Sequence, residues 1–210
     1  MKVLVIGAAG KTGRLVVDRA LAAGYSVKAL VHDTAVLADA PFSDGVQITQ
    51  GDVHDAGTVH AAIAGCDAVI DTLGGKKPFL RTNTEESAAR VVLTAMKERQ
   101  VRRLIVISVL GAGDSGTHAS FWYEHLLLPT FLRGALPDKN GMEAAVMGSG
   151  LEWVIVRPPM LSDDEPVGSV NVVKEHEIAH KVTRADLAQF LVDQVESDAH
   201  LGTAVVIANS

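Results

Sequence analysis

Near its N-terminus the chain reads Val3-Leu4-Val5-Ile6-Gly7-Ala8-Ala9-Gly10-Lys11-Thr12-Gly13-Arg14-Leu15, an apolar β-branched run, three evenly spaced glycines and the start of a helical pattern. Few local sequences restrict a fold more. A glycine at Gly7 allows a tight turn out of a strand, one at Gly10 lets backbone approach a ligand closely, and one at Gly13 lets helix pack on strand. The first amides of the helix then point, unpaired, at the space above the turn, and the helix dipole favours negative charge there. Strand before and helix after are the context in which such glycines signify a diphosphate cradle and not a plain turn. The predicted binding turn is therefore Gly7, Ala9, Gly10, Lys11, Thr12 and Gly13, with the Thr12 hydroxyl as a further donor.

The rest of the chain repeats the alternation that this opening begins. Short β-branched segments at Lys2–Ile6, Ser26–Val31, Val46–Gln50, Ala68–Asp71, Leu104–Ile107, Leu151–Val156 and Ala204–Ile207 alternate with longer segments of helical period. That order specifies an α/β fold: one Rossmann-type, doubly wound parallel sheet with helices on both faces. Several strands are apolar throughout, as strands covered on both sides must be. Helices are predicted over Lys11–Ala23, closed by Gly24, over Asp55–Ala64, over Thr84–Arg99, and after Thr183, where Thr183 and Asp186 form a capping box. The 210 residues suit a single domain, 1–210. The segment Leu110–Pro137 reads as an irregular, substrate-side loop or lid.

About twenty residues past the last glycine of the turn, the second strand ends Ala29-Leu30-Val31-His32-Asp33, where the adenosine ribose of a dinucleotide would lie. Asp33 can accept from a ribose 2′-hydroxyl, which favours NAD(H). His32, with Lys11 or Arg14 nearby, can receive a 2′-phosphate, which favours NADP(H). Asp33 capping a short helix in a solvated loop is a third reading. We place NADP(H) ahead of NAD(H). Asp52 and Val53 after the third strand are expected near the adenine, and Leu73 and Gly74, within Thr72-Leu73-Gly74-Gly75, at the cofactor edge of the fourth.

With these residues in place the chain resembles the atypical short-chain dehydrogenase/reductase superfamily, and within it the small NAD(P)H-binding proteins related to NmrA and to biliverdin reductase B, a flavin reductase. The resemblance runs from the N-terminal turn through Gly51-Asp52-Val53 and Ala64-Gly65-Cys66-Asp67-Ala68-Val69-Ile70 to Ser149–Pro159 and Thr183-Arg184-Ala185-Asp186-Leu187-Ala188. The Arg157-Pro158-Pro159 step narrows it, and implies that Pro158 borders the nicotinamide. Related dehydrogenases follow the fifth strand with paired serines and use Y-x-x-x-K for proton relay. Here Ser108 is followed by Val109, and the matching lysine, Lys139, has Ala135 where the tyrosine would stand. Ser108 and Lys139 are thus the catalytic candidates the resemblance implies, without the general acid that carbonyl reduction requires. A conjugated hydride acceptor such as a flavin, quinone or biliverdin takes its proton from water and needs no such tyrosine. The alternative is a non-catalytic, NmrA-like dinucleotide sensor.

Charge and composition remove other classes. A net charge of -6 gives no broad field for nucleic acid, and no apolar run reaches the roughly 18 residues of a membrane span. The N-terminus lacks the pattern of a signal peptide, so a cytoplasmic monomer or homodimer acting on a small molecule is expected. The lone Cys66 is read as a small buried residue. His176-Glu177-Ile178-Ala179-His180 matches H-E-x-x-H, but its β-like flank places it in strand or loop, where it is a coincidence and no metal is expected. Phe121-Trp122-Tyr123-Glu124-His125, with Leu126–Leu128 after it, reads as a stacking surface, an oligomer contact or a packed connecting helix. Arg102-Arg103 reads as a solvated pair.

Overall fold

The structure is a computed structural model that describes residues 1–38, 40–74, 83–120, 122–127, 130, 132–174 and 177–209; the side chains of Glu124 and Leu127 are outside the description. The expected strands form with shifts of at most a residue at their ends: β1 (Lys2–Ile6), β2 (Ser26–Val31), β3 (Gln47–Gln50), β4 (Ala68–Asp71), β5 (Arg103–Ile107), β6 (Glu152–Arg157) and β10 (Thr203–Ala208). With β8 (Asn171–Val172) they make one sheet of order β3-β2-β1-β4-β5-β6-β10-β8. Every pairing in it is parallel except the last, where β8 runs antiparallel to β10 at the edge, so the sheet is mostly and not wholly parallel. Two further strands, β7 (Met160–Ser162) and β9 (Lys181–Thr183), pair with each other and were not foreseen.

The apolar runs alternate their side chains between two cores, which is why no polar period shows in them. Val3 and Val5 of β1 and Ile70 of β4 face α1 (Lys11–Ala22) and the C-terminal helix α5 (Arg184–Asp193). Leu4, Ile6 and Val69 face α2 (Ala56–Ile63), α3 (Thr84–Glu98) and α4 (Ala135–Met147) on the other side. Cys66 is buried at the mouth of β4, as read. The chain leaves β1 for β2 and β3 in one direction and returns through β4 and β5 in the other. The loops at the carboxyl ends of β1 and β4 therefore diverge and leave a crevice, the topological switch point where ligands of such sheets bind.

The helix α4 is the main departure from expectation. Among its described residues the segment ahead of it holds a 3-10 turn at Ser115–His118 and a π turn at Tyr123–Leu127. A third, smaller core of Leu110, Ala119, Tyr123, Ala179, Val206 and Ala208 packs this segment against β10. Phe121 and Leu128 of the aromatic stretch, like His176, lie outside the described residues. Glu177–His180 is irregular chain leading into β9, as anticipated for that motif. Arg103 is a correction: it is not solvated but donates to the carbonyls of Gln194 and Ser197 and to Asp198, while Arg102 pairs at the surface with Glu152.

Candidate functional site

The turn after β1 has the geometry a diphosphate needs. Gly7 sits at φ +74°, and a side chain there would come within 2.9 Å of the Thr72 hydroxyl, which itself donates to the Ile6 carbonyl across the crevice. A methyl at Gly13 would overlap the Gly7 carbonyl oxygen, so only glycine lets α1 start this close to the strand. Gly10 has a further part beside the one expected. Its amide donates inward to Gly7 at 2.9 Å and closes the turn, and it stands as N-cap of α1 with no side chain capping the helix. The outward amides are those of Lys11, Thr12 and Gly13, the first three of the helix. No acidic residue lies in that first turn to compete with a phosphate. Ala9 turns its carbonyl to Arg14 at 3.2 Å.

A clasp of charges flanks these amides. Lys11 Nζ lies 2.6 Å from Asp163, and Arg184 at the start of α5 lies 2.5 Å from the same carboxylate. Both cations hold Asp163 ionised, its pKa lowered chiefly by the Lys11 hydrogen bond. The loop that carries Asp163 is fixed from beneath, because Asp186 accepts from the amides of Val167 and Gly168 and from Thr183 and Asn209. Thr183 in turn accepts from the Asp186 amide, the capping box foreseen.

On the adenosine side, His32 and Asp33 leave β2 exposed. The Asp33 carboxylate accepts from the Ala35 amide at 2.9 Å and caps a 3-10 turn over Thr34–Leu37, the capping role named as its alternative. Arg14 is not free for a 2′-phosphate. It donates to the carbonyls of Ala9, Val36 and Ala40 and covers the Phe42 ring, pinning the loop after β2 to α1. Asp52 accepts from the His54 amide and faces its ring at 2.8 Å, which lowers its pKa, and Val53 packs against the core.

The carboxyl ends of β4, β5 and β6 form the other half of the crevice, and α4 organises them. Lys139, buried, donates to the Ile107 carbonyl at 2.7 Å and the Leu73 carbonyl at 3.3 Å and pairs with buried Glu85. An ammonium has three donors, and these three partners account for all of them. Asp138 caps α3 from outside it, accepting from the amides of Glu85 and Glu86. Asn140 accepts from the Gly113 amide, and Glu143 holds the buried Arg157 guanidinium through two hydrogen bonds of 3.0 and 2.7 Å. Arg157 reaches outward to Asp114 as well, at 2.6 Å. The Pro158 carbonyl accepts from Leu110, which joins the loops after β5 and β6.

Three further groups complete the floor. Asp71 ends β4 fully enclosed, accepts from the Leu73 amide, and is pushed up to about 6 by burial. The Ser108 hydroxyl is buried with no hydrogen-bond partner among the described residues. Tyr123 donates to the Leu110 carbonyl and is pushed up to about 12 by burial, so it stays protonated. Gly74 lies beside Leu73 at the described edge, and Gly75 lies beyond it. Sequence reasoning missed Asp71, Glu85, Asp138 and Asn140. A charge closing the apolar run Ala68-Val69-Ile70 was the one available signal for Asp71; the others become visible only when α3 and α4 meet.

Comparison with known proteins points the same way. Residues 7–198 match the family described as NAD(P)H-binding. An uncharacterised chloroplastic protein of Arabidopsis thaliana is 30% identical over 207 residues, spanning 95% of this chain and 72% of its own. Among solved structures, the anaerobillin reductase ChuY of Escherichia coli O157:H7 is 25% identical with a TM-score of 0.81, covering 99% of this chain and 97% of that one. The oxidoreductase YlbE of Lactococcus lactis shares the fold at 19% identity, with a TM-score of 0.82 and coverage of 100% and 91%.

Proposed function

The chain belongs to the NAD(P)H-binding family, and from that premise we propose that it is an NADPH-dependent reductase of a conjugated acceptor such as a flavin, a quinone or a linear tetrapyrrole. The observation that carries this reading is the coexistence of a diphosphate cradle with Ala135 where the tyrosine of a tyrosine–lysine proton relay would stand beside Lys139. Lys11, Thr12 and Gly13 present their amides to the pyrophosphate, and the Thr12 hydroxyl adds a donor. Leu73, Gly74 and Pro158 flank the nicotinamide, and the Ser108 hydroxyl, one residue past β5, is without a partner among the described residues. When bound, the dinucleotide supplies a hydride.

The residues of the chain decide which acceptors can use that hydride. Ala135 stands where a tyrosine acid would be, Lys139 has its donors engaged, and Tyr123 is turned to Leu110. An alkoxide developing on a simple carbonyl would lack the tyrosine of that relay as its acid, whereas a conjugated system delocalises the charge and takes its proton from water. The similarity to an anaerobillin reductase supports the same acceptor class.

Preference for NADP(H) rests on His32 and on the engagement of the Asp33 carboxylate by the Ala35 amide, which makes Asp33 a poorer acceptor for a ribose 2′-hydroxyl. A charge-assisted contact of this kind is worth about tenfold in affinity. Calorimetric titration should therefore find NADPH bound about tenfold tighter than NADH. Stopped-flow oxidation of NADPH with FMN, riboflavin, biliverdin and quinones tests the reaction. Tight binding with no oxidation by any of them would replace this reading with a dinucleotide sensor, which the missing tyrosine also fits. The cytoplasmic location and a monomeric or homodimeric state belong to the same proposal; no helix among the described residues is long and apolar enough to cross a membrane.

A further inference from the structure

A lysine ammonium buried at the end of a parallel sheet is costly to keep there unless a counter-charge and hydrogen bonds accompany it. Lys139 has a side chain only 7% exposed, and its partner Glu85 only 6%. The pairing is built from the backbone up. Asp138 sits next to Lys139 in α4 and binds the amides of Glu85 and Glu86, which fixes the first turn of α3 against α4. Gly141 completes the fit, since a side chain there would overlap the Glu86 carboxylate. Glu85 is thus delivered to Lys139 by the same contact that caps its helix.

The other two contacts of Lys139 are to Ile107, the last residue of β5, and Leu73, two residues past the end of β4. These strands are neighbours in the sheet. The ammonium therefore stitches together the two chain segments that leave them, Thr72–Gly74 and Ser108–Leu110. Both lie at the carboxyl edge of the sheet, and one carries the buried Ser108 hydroxyl, unpartnered among the described residues.

We infer that Glu85 is a positioning residue for the hydride-transfer end of the site: by pairing with Lys139 it holds that ammonium beneath the two strand-end carbonyls, so the lysine shapes the nicotinamide floor and does not donate to the cofactor. This rests on the dinucleotide reading above. The pyrophosphate cradle lies across the crevice on α1 and is untouched by the pair, so its loss should separate placement of the nicotinamide from affinity for the dinucleotide.

The test uses the full chain with Glu85→Gln, Lys139→Met and the double variant, each followed in four ways. In urea unfolding, each single variant should raise the unfolding constant about a hundredfold, with the double variant well short of the product, because one buried charge without its partner is worse than neither. NADPH titration should give dissociation constants within about threefold of the unaltered chain. The emission of bound NADPH should shift, and kcat with the best acceptor should fall about tenfold or more at little change in KM for NADPH. Coupled unfolding with unchanged emission and kcat would overturn the positioning role and leave a purely structural pair. Additive unfolding effects would overturn the pairing itself. Failure of the unaltered chain to bind NADPH would instead overturn the functional reading, and the unfolding cycle would still report on the pair.

Discussion

At Gly13 one methyl group decides whether the site exists. Its Cβ would overlap the Gly7 carbonyl oxygen, and that atom is backbone in a turn already closed by the Gly10 amide, so it has nowhere to go. Gly13→Ala should therefore weaken NADPH binding at least about a hundredfold, a loss of some 3 kcal/mol, measured by titration on protein that still shows the far-ultraviolet spectrum of the parent. Lys11→Ala should act differently. Lys11 is exposed and paired with exposed Asp163, and such pairs are worth little, so a loss of affinity beyond about tenfold would mean that the lysine binds phosphate directly. Asp71 gives a prediction of opposite kind. Its folded pKa is raised to about 6 by burial, so the folded state holds that proton more tightly than the unfolded chain does. The resulting stability is fully present below about pH 4 and is lost as pH rises through about 6. Asp71→Asn, which keeps an oxygen for the Leu73 amide, has no such dependence. Relative to the parent, it should gain on the order of 3 kcal/mol in unfolding free energy between about pH 4 and pH 7. A gap between the two that stays constant with pH would refute the assignment.

Among the elements, α4 supplies the most side chains to the candidate site and was the least legible. Its inward face is Asp138, Lys139, Met142, Glu143 and Val146, mostly polar, and it contains Pro137 and Gly141. A search for apolar residues at helical spacing passes over it, although Lys139 had been picked out by resemblance alone. The polar face is stable because each group meets a partner from another element: α3 for Asp138, strand-end carbonyls for Lys139, the loop after β5 for Asn140, β6 for Glu143. By contrast α1 and the strands were legible to within a residue or so, since their signals are local: glycine spacing, β-branching and a capping threonine. Arg157 offers a check on this account. Glu143 is 3% exposed and Asp114 94%, yet both bind the same guanidinium. Glu143→Ala leaves a buried cation half-satisfied and should cost about 3–5 kcal/mol in urea unfolding, whereas Asp114→Ala should cost under about 1 kcal/mol. Equal costs would mean that the helix is not held through Arg157.

For the whole molecule, the doubly wound order was readable because apolar strands recur with helical segments between most of them, and the crevice follows from where that order reverses between β1 and β4. The β7–β9 pair was not, since strands of three residues carry too little pattern to stand out, and the β-like run Val170–Val173 marked the edge strand β8 without its antiparallel direction. These late elements nonetheless bear on the cradle. The loop between β7 and β8 brings Asp163 to Lys11 across 152 positions of sequence, and Asp186 anchors it to α5. A dinucleotide lying between α1 and this loop would touch parts of the chain that are remote in sequence, and one cooperative unit should then melt later when it binds. A ligand at a hundred times its dissociation constant adds about 2.7 kcal/mol to the unfolding free energy, which for a chain of this size is a rise of about 5–10 °C in Tm. NADPH should produce that rise in a single transition. NADH at the same concentration, bound about tenfold more weakly, should give about 1.3 kcal/mol less and a correspondingly smaller shift. Equal shifts from both would remove the 2′-phosphate from the account, and a second transition unmoved by ligand would show that the cradle and the C-terminal elements do not unfold together.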